Sequence, residues 1–222
     1  GSIDLAWLLT HCGRILILYV IVLPINWLIK NNLAIRNADI VNTALILWGS
    51  VNIVITVIEY YSLYIEPFDL RVSTLHTRGP VFFPDRPLRL VQLSDTHIER
   101  LTKREWEVLA RVAAIQPDLI VLTGDYVNYD FTSEPRAIQE TRSFLSQLHA
   151  PYGVYAITGS QDVDKTETML KLFQGLDITI LDDRAQAVTI GENVLYVIGI
   201  KYIDPRSRDR TELSRLMSQL PS

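Results

Sequence analysis

Cysteine is almost missing from this chain. The single Cys12 excludes an internal disulfide and any cysteine-cluster metal site, so thiol usage says nothing about the redox compartment. Histidine is scarce too: there are four, and none follows His149. Nor is there a surplus of positive charge. Lys and Arg total 21 against 25 Asp and Glu, a net charge of -4, which leaves no basic footprint for a nucleic-acid partner. No repeat or low-complexity run marks the chain as a solenoid or a disordered tail.

Apolar residues are abundant. They make up 48% of the 222 residues, rich for a soluble protein, and the excess lies at the start. Residues 40–58 carry no charge; as a helix they extend about 28 Å, close to a hydrocarbon core of about 30 Å. Asp39 and Glu59 bracket the run, and Tyr60, Tyr61 and Tyr64 follow as an interfacial belt. Residues 15–29, between Arg14 and Lys30, are also uncharged but short, and include Pro24 and Asn26. Snorkelling of the flanking Arg and Lys lets such a segment span. The expected arrangement is a transmembrane helical hairpin within a membrane-anchor region, residues 1–65, in a multi-pass membrane protein whose partner is the lipid bilayer. Two spans without a small-residue cleavage site argue against a cleavable signal peptide. Lys30 and Arg36 in the connecting loop favour a cytoplasmic loop and place the rest of the chain outside the cytoplasm.

Residues 66–87 hold Pro67, Pro80, Pro84 and Pro87 and read as a linker with one embedded strand at 70–75. From 88 to the end, short apolar runs alternate with helix-spaced ones. Strands are expected at 88–93, 119–122, 154–158, 178–181, 187–190 and 194–200. Helices are expected at 103–115, 135–148 and 165–176, with an amphipathic stretch at 213–220. Trp106, Leu109, Val112 and Ala113 give the first helix its apolar face. Such alternation predicts βαβ units, an α/β class and a parallel sheet. Gly191-Glu192-Asn193 predicts a tight turn between the last two strands.

Polar residues follow these strands in a suggestive way. Asp95-Thr96-His97 comes directly after the first, and Gly124-Asp125 directly after the second. Taken alone, an Asp after a strand is an ordinary turn former or helix cap. Together, two carboxylates and an imidazole at the carboxyl ends of adjacent parallel strands are placed where such sheets build sites. The donor set suits Zn, Mn or Fe better than Ca or Mg. His11, His76 and His149 are assigned no role. Asn128 and Asp130 read as loop-turn residues, and Arg206 to Arg210 as a surface loop.

Leu93-Ser94-Asp95-Thr96-His97 resembles the first motif of the calcineurin-like metallophosphoesterases, and Leu122-Thr123-Gly124-Asp125 resembles the second. The third motif is matched by position only: the family has Gly-Asn-His followed by an acid, and this chain has Gly159-Ser160-Gln161-Asp162. The resemblance implies a partial β-sandwich flanked by helices in a phosphoesterase domain at 88–222. It implies two divalent metal ions (Mn, Zn or Fe) about 3.5–4 Å apart, with Asp95 and His97 on the first and Asp125 bridging both. Ser160 takes the place of an asparagine ligand of the second metal, and a hydroxyl is a poorer ligand than an amide oxygen. Gln161 takes the place of a histidine and cannot deliver a proton as imidazolium does, so no catalytic acid is intact. The family's later histidine motifs are not in this sequence, which reads as the N-terminal portion of a longer protein. The implied activity is hydrolysis of phosphomonoesters or phosphodiesters by metal-activated hydroxide, with the membrane anchor opening the way to lipid-linked substrates. The rival readings are a catalytically impaired, membrane-tethered binding domain and a membrane structural protein whose Asp and His residues only cap strands.

Overall fold

The computed structural model of the chain describes residues 38–77, 79, 82–83, 86–202 and 211–220, with isolated positions at 13, 24, 27 and 31. The chain divides into two compact units, residues 1–71 and 72–222. The expected first span at 15–29 falls almost entirely outside the described residues.

Among the described residues of the first unit, the longest element is helix α1, Ala38–Tyr64, 27 residues, or about 40 Å at 1.5 Å per residue. It is apolar all round. Ile46, Leu47, Val51, Ile53, Val54 and Val57 are all exposed, so α1 does not bury an apolar face as a core helix does. Its polar residues satisfy themselves: Ser50, Asn52 and Thr56 donate to the carbonyls of Ile46, Trp48 and Asn52, four residues back. The stretch Ile46–Phe68 is long and apolar enough to cross a membrane, the only such stretch among the described residues; it overlaps the expected span at 40–58, and the other span of the expected hairpin, 15–29, lies almost entirely outside the described residues. Pro67 ends the helical course in a 3₁₀ turn, Glu66–Phe68.

Residues 70–75 form no strand. The sequence placed one embedded strand there, and among the described residues none of the sheet ladders includes it.

The second unit is built on a four-stranded parallel sheet of β1 (Leu90–Leu93), β2 (Leu119–Leu122), β3 (Val154–Ala156) and β4 (Thr179–Ile180), in sequential order. Helices α2 (Lys103–Ile115), α3 (Pro135–Leu145) and α4 (Thr166–Phe173) make the three crossovers. Because the order never reverses, crossovers of one hand put every helix on one face. Val91, Ile120, Leu122, Val154 and Ala156 point to that face and pack with Val112, Ile138, Phe144, Met169 and Leu172. The alternate residues Leu119, Val121 and Tyr155 point the other way, against an antiparallel hairpin of β5 (Arg184–Ile190) and β6 (Asn193–Gly199), through Val188, Ile190 and Val197. The layers are thus helices, parallel sheet and hairpin. The three crossover helices cover the parallel sheet's outer face, in keeping with the partial β-sandwich flanked by helices that the resemblance implied. Gly191, at φ 61, turns β5 into β6, where the tight turn was predicted.

The amino ends of the strands are tied by Asp118, which is buried. Its carboxylate accepts two hydrogen bonds of 2.6 Å from Arg86 and one of 2.8 Å from the Arg89 N–H. These contacts also explain why β1 begins at Leu90 rather than at 88: the Arg89 backbone is already bonded to residue 118 on both sides, its carbonyl accepting from the Asp118 N–H at 2.8 Å. The start of α2 carries a capping box, with the Thr102 Oγ1 accepting from the Arg104 N–H and the Glu105 carboxylate accepting from the Thr102 N–H. A final helix, α5, covers Thr211–Ser218.

Candidate metal centre

β1 and β2 pair in register, Leu93 opposite Leu122, so the segments that leave them run side by side. The pairing persists past the strand ends. Thr123 N donates to Leu93 O at 3.0 Å, Asp95 N to Gly124 O at 3.1 Å, His97 N to Asp125 O at 3.1 Å and Ile98 N to Tyr126 O at 2.8 Å. This ladder is bent at particular residues. Five non-glycine residues among those described have positive φ, and three are Asp95 (51°), His97 (41°) and Asp125 (56°). Side chains rarely adopt the left-handed region, and such departures cluster at functional sites. Here each turns its side chain toward the same point.

The result is that one donor atom from each of Asp95, His97 and Asp125 lies within 4.8 Å of the others. His97 Nε2 is 4.0 Å from Asp95 Oδ1 and 3.9 Å from Asp125 Oδ2. Donors on one tetrahedral ion with bonds near 2.0–2.1 Å sit about 3.3–3.5 Å apart, so the two histidine–carboxylate separations are about half an ångström longer than a shared cation would set. The donor set is right for a borderline divalent ion. Access is graded: the Asp95 side chain is 66% exposed, His97 40% and Asp125 20%. The group sits on an open shelf, with Asp125 as its deepest member. The Ser94 hydroxyl donates to the outer oxygen of Asp95.

The third loop, after β3, meets Asp125 from its far side. Ser160 donates to Asp125 Oδ1 twice, from its N–H at 2.7 Å and from its hydroxyl at 2.8 Å. The side chain expected as a doubtful ligand therefore bonds a carboxylate. Gln161 is exposed, as is Asp162, so the third motif's acid does not enter the site. Asn128 caps a short 3₁₀ turn, its side chain accepting from the Asp130 N–H, as read from the sequence.

The loops approach closely because two glycines face each other. A Cβ on Gly124 would lie 2.3 Å from the Gly159 Cα, and one on Gly159 would lie 2.4 Å from Asp125 Oδ1. Tyr126, 1% exposed, donates its phenol to Ile157 O at 2.7 Å and packs edge-on against Phe173 with ring centroids 5.0 Å apart. Burial raises its pKa well above the usual phenol range.

One residue that sequence reasoning missed stands behind the site. Asp164, 2% exposed, accepts from Asp125 N at 2.7 Å, Gly159 N at 2.8 Å and Tyr126 N at 3.3 Å. Burial pushes its pKa up, against the lowering pull of these three amides. A buried carboxylate whose partners are backbone amides leaves no mark in side-chain pattern. The available signal was its place, five residues after Gly159, in a motif whose own acid at 162 faces solvent.

Strand-end residues converging at the carboxyl edge of a parallel sheet form an α/β site with a candidate cation position. The calcineurin-like phosphoesterase family model matches residues 88–208, more than half of the chain, and the chain belongs to that family. It is 34% identical over 102 residues to the UDP-2,3-diacylglucosamine pyrophosphatase LpxG of Chlamydia trachomatis, covering 45% of this chain and 30% of LpxG. It is 30% identical over 156 residues to the metallophosphoesterase YkoQ of Bacillus subtilis, covering 66% of this chain and 54% of YkoQ. YkuE of the same organism is 31% identical over 106 residues, covering 46% of this chain and 36% of YkuE. The chain thus spans between about a third and about half of the length of these curated relatives.

Proposed function

We propose that Asp95, His97 and Asp125 are ligands of a divalent-metal centre, and that this chain is the metal-holding portion of a membrane-anchored phosphoesterase. The observation that carries this reading is the convergence of three donor atoms within 4.8 Å at the carboxyl ends of adjacent strands. Divalent ions held there supply Lewis acidity, acidifying water and offsetting phosphoryl charge. The chain's own residues do the rest. Asp95 and His97 present donors from the first loop, and Asp125 presents Oδ2 from the second while Ser160 occupies Oδ1. The open shelf leaves room for a phosphoester to approach from the Asp95 side.

The substrate class proposed is a phosphoester or pyrophosphate, lipid-linked in keeping with α1 as an anchor. LpxG is named for a lipid pyrophosphate, which supports that class. The two-span anchor with an extracytoplasmic catalytic unit is part of the same proposal, resting on the uncharged runs and on Lys30 and Arg36.

The test uses full-length protein in detergent. Mn²⁺ or Zn²⁺ binding is measured alongside hydrolysis of an activated aryl phosphodiester and of a diacylated UDP-sugar. Metal binding that is lost in His97→Ala and Asp125→Asn supports the centre; binding that survives both sinks it. A second reading, an impaired relative that binds without turning over, is favoured by Ser160, whose hydroxyl faces a carboxylate, and by exposed Gln161. Full metal occupancy with no hydrolysis of either substrate selects this reading.

A further inference from the structure

Asp164 is buried without a cationic partner in hydrogen-bonding contact among the described residues. Burying a carboxylate is costly unless hydrogen bonds compensate, and here the compensation comes wholly from the backbone. Oδ2 takes an N–H from each of two different loops, Asp125 at 2.7 Å and Gly159 at 2.8 Å. Oδ1 takes the next amide, Tyr126, at 3.3 Å. Successive amides at left-handed turns make an anion-binding concavity, and Gly124 (φ 97°) and Asp125 (φ 56°) create one that Asp164 fills. The segment delivering it is itself fixed, since Val163 N and Asp164 N both donate to Ser160 O at 3.1 and 2.8 Å. Asp164 Oδ2 would lie 2.9 Å from a Cβ on Gly159 and 3.3 Å from one on Gly124, so the carboxylate also occupies the space that lets these glycines meet.

We propose that Asp164 is a positioning residue for the metal centre: its carboxylate clips the loop after β3 onto the loop after β2 and so fixes the Asp125 side chain in its metal-facing orientation. The consequence runs through Ser160. With residue 159 held against residue 125, the Ser160 N–H and hydroxyl fall on Asp125 Oδ1, and Oδ2 is left directed toward His97 Nε2, 3.9 Å away. An apolar residue at 164 would fill the volume but leave three amides unpaired and the two loops unjoined. Partners of this kind that orient a ligating carboxylate typically cost 10–100-fold in metal affinity when removed.

This inference rests on the metal-centre reading, and the test separates the two. Mn²⁺ affinity is measured by calorimetry on full-length protein in detergent for wild type, Asp164→Asn, Asp164→Ser, His97→Ala and a core control, Leu172→Ala, together with their thermal midpoints. The expected result is a loss of about 10–100-fold in affinity for the Asp164 variants, well beyond that of the control at comparable destabilisation. Affinity equal to the control's would overturn the clip while leaving the centre intact. Unchanged binding in His97→Ala would overturn the centre and the clip with it. If the Asp164 variants do not fold, hydrogen exchange of the metal-free wild type decides. The clip requires that peptides covering 124–126 and 159–164 be protected together and open together. Rapid exchange at 124–126 with 159–164 protected would overturn it.

Discussion

Ser160 places both of its hydrogen-bond donors on one oxygen of Asp125, at 2.7 and 2.8 Å. The hydroxyl lone pairs remain, but the side chain is oriented by the carboxylate and not by a cation position. An asparagine there has two functional ends: its NH₂ keeps a donor for Asp125 while its carbonyl is free to ligate. We therefore expect Ser160→Asn combined with Gln161→His to raise phosphodiester hydrolysis by full-length protein by about 10²-fold or more, the scale of general acid catalysis. The neighbours should couple instead of adding. Equal steady-state rates for native and double mutant would show that the native pair is already competent.

Gly124→Ala should be severe. Its Cβ meets the Gly159 backbone at 2.3 Å, and its φ of 97° disfavours any side chain. A loss of about 2–4 kcal/mol is expected from overpacking and backbone strain together, read as a drop in the denaturant midpoint. Gly175→Ala is the comparison. It has positive φ as well but open space around it, so it reports the strain component alone and should cost about 1 kcal/mol.

At the opposite edge of the sheet, the Arg86 guanidinium holds the Asp118 carboxyl below its usual pKa. A depressed folded pKa means the ionised form stabilises the fold. The contribution is complete above the unfolded value of about 3.9 and drains as pH falls through it and on through the folded value. Asp118→Asn should cost about 2 kcal/mol at pH 7, on the scale of hydrogen bonds to a charged group and tempered because the Arg86 side chain is 41% exposed. Measured at pH 3, the gap between wild type and variant should be visibly smaller.

Tyr126→Phe removes one hydroxyl and leaves the Ile157 carbonyl, at the end of β3, without its donor. We expect a loss of about 1–2 kcal/mol with packing against Phe173 retained, seen as a lowered thermal midpoint and an unchanged near-neutral pH profile.

Much of this was written in the local pattern. β2 and α2 fall where their periodicity put them, because both faces of β2 are buried and α2 has a capping box at its entry. Asp95, His97 and Asp125 were legible as a candidate group because all three follow two successive apolar runs, where one alone would read as a turn former. Other features depend on contacts distant in sequence. The strand expected at 70–75 is not formed. Helix α4 ends at Phe173 instead of the expected 176 because Gln174 leaves the helical region and Gly175 turns at φ 76°. Asp164 and Asp118 were invisible as sites, since each acts on backbone amides or on an arginine more than thirty positions away.

The sequential strand order has a bearing on synthesis. Each new strand of the parallel sheet docks beside the one made just before it, so the sheet can grow as the chain emerges, without a waiting edge strand. Asp125, however, is finished from residues 35 and 39 positions downstream, Ser160 and Asp164. A nascent chain that has produced β1 and β2 already holds all three convergent side chains, yet their geometry is set only when the third loop arrives. On the metal-centre reading, the geometry that would hold an ion is therefore complete only once the third loop has joined the first two.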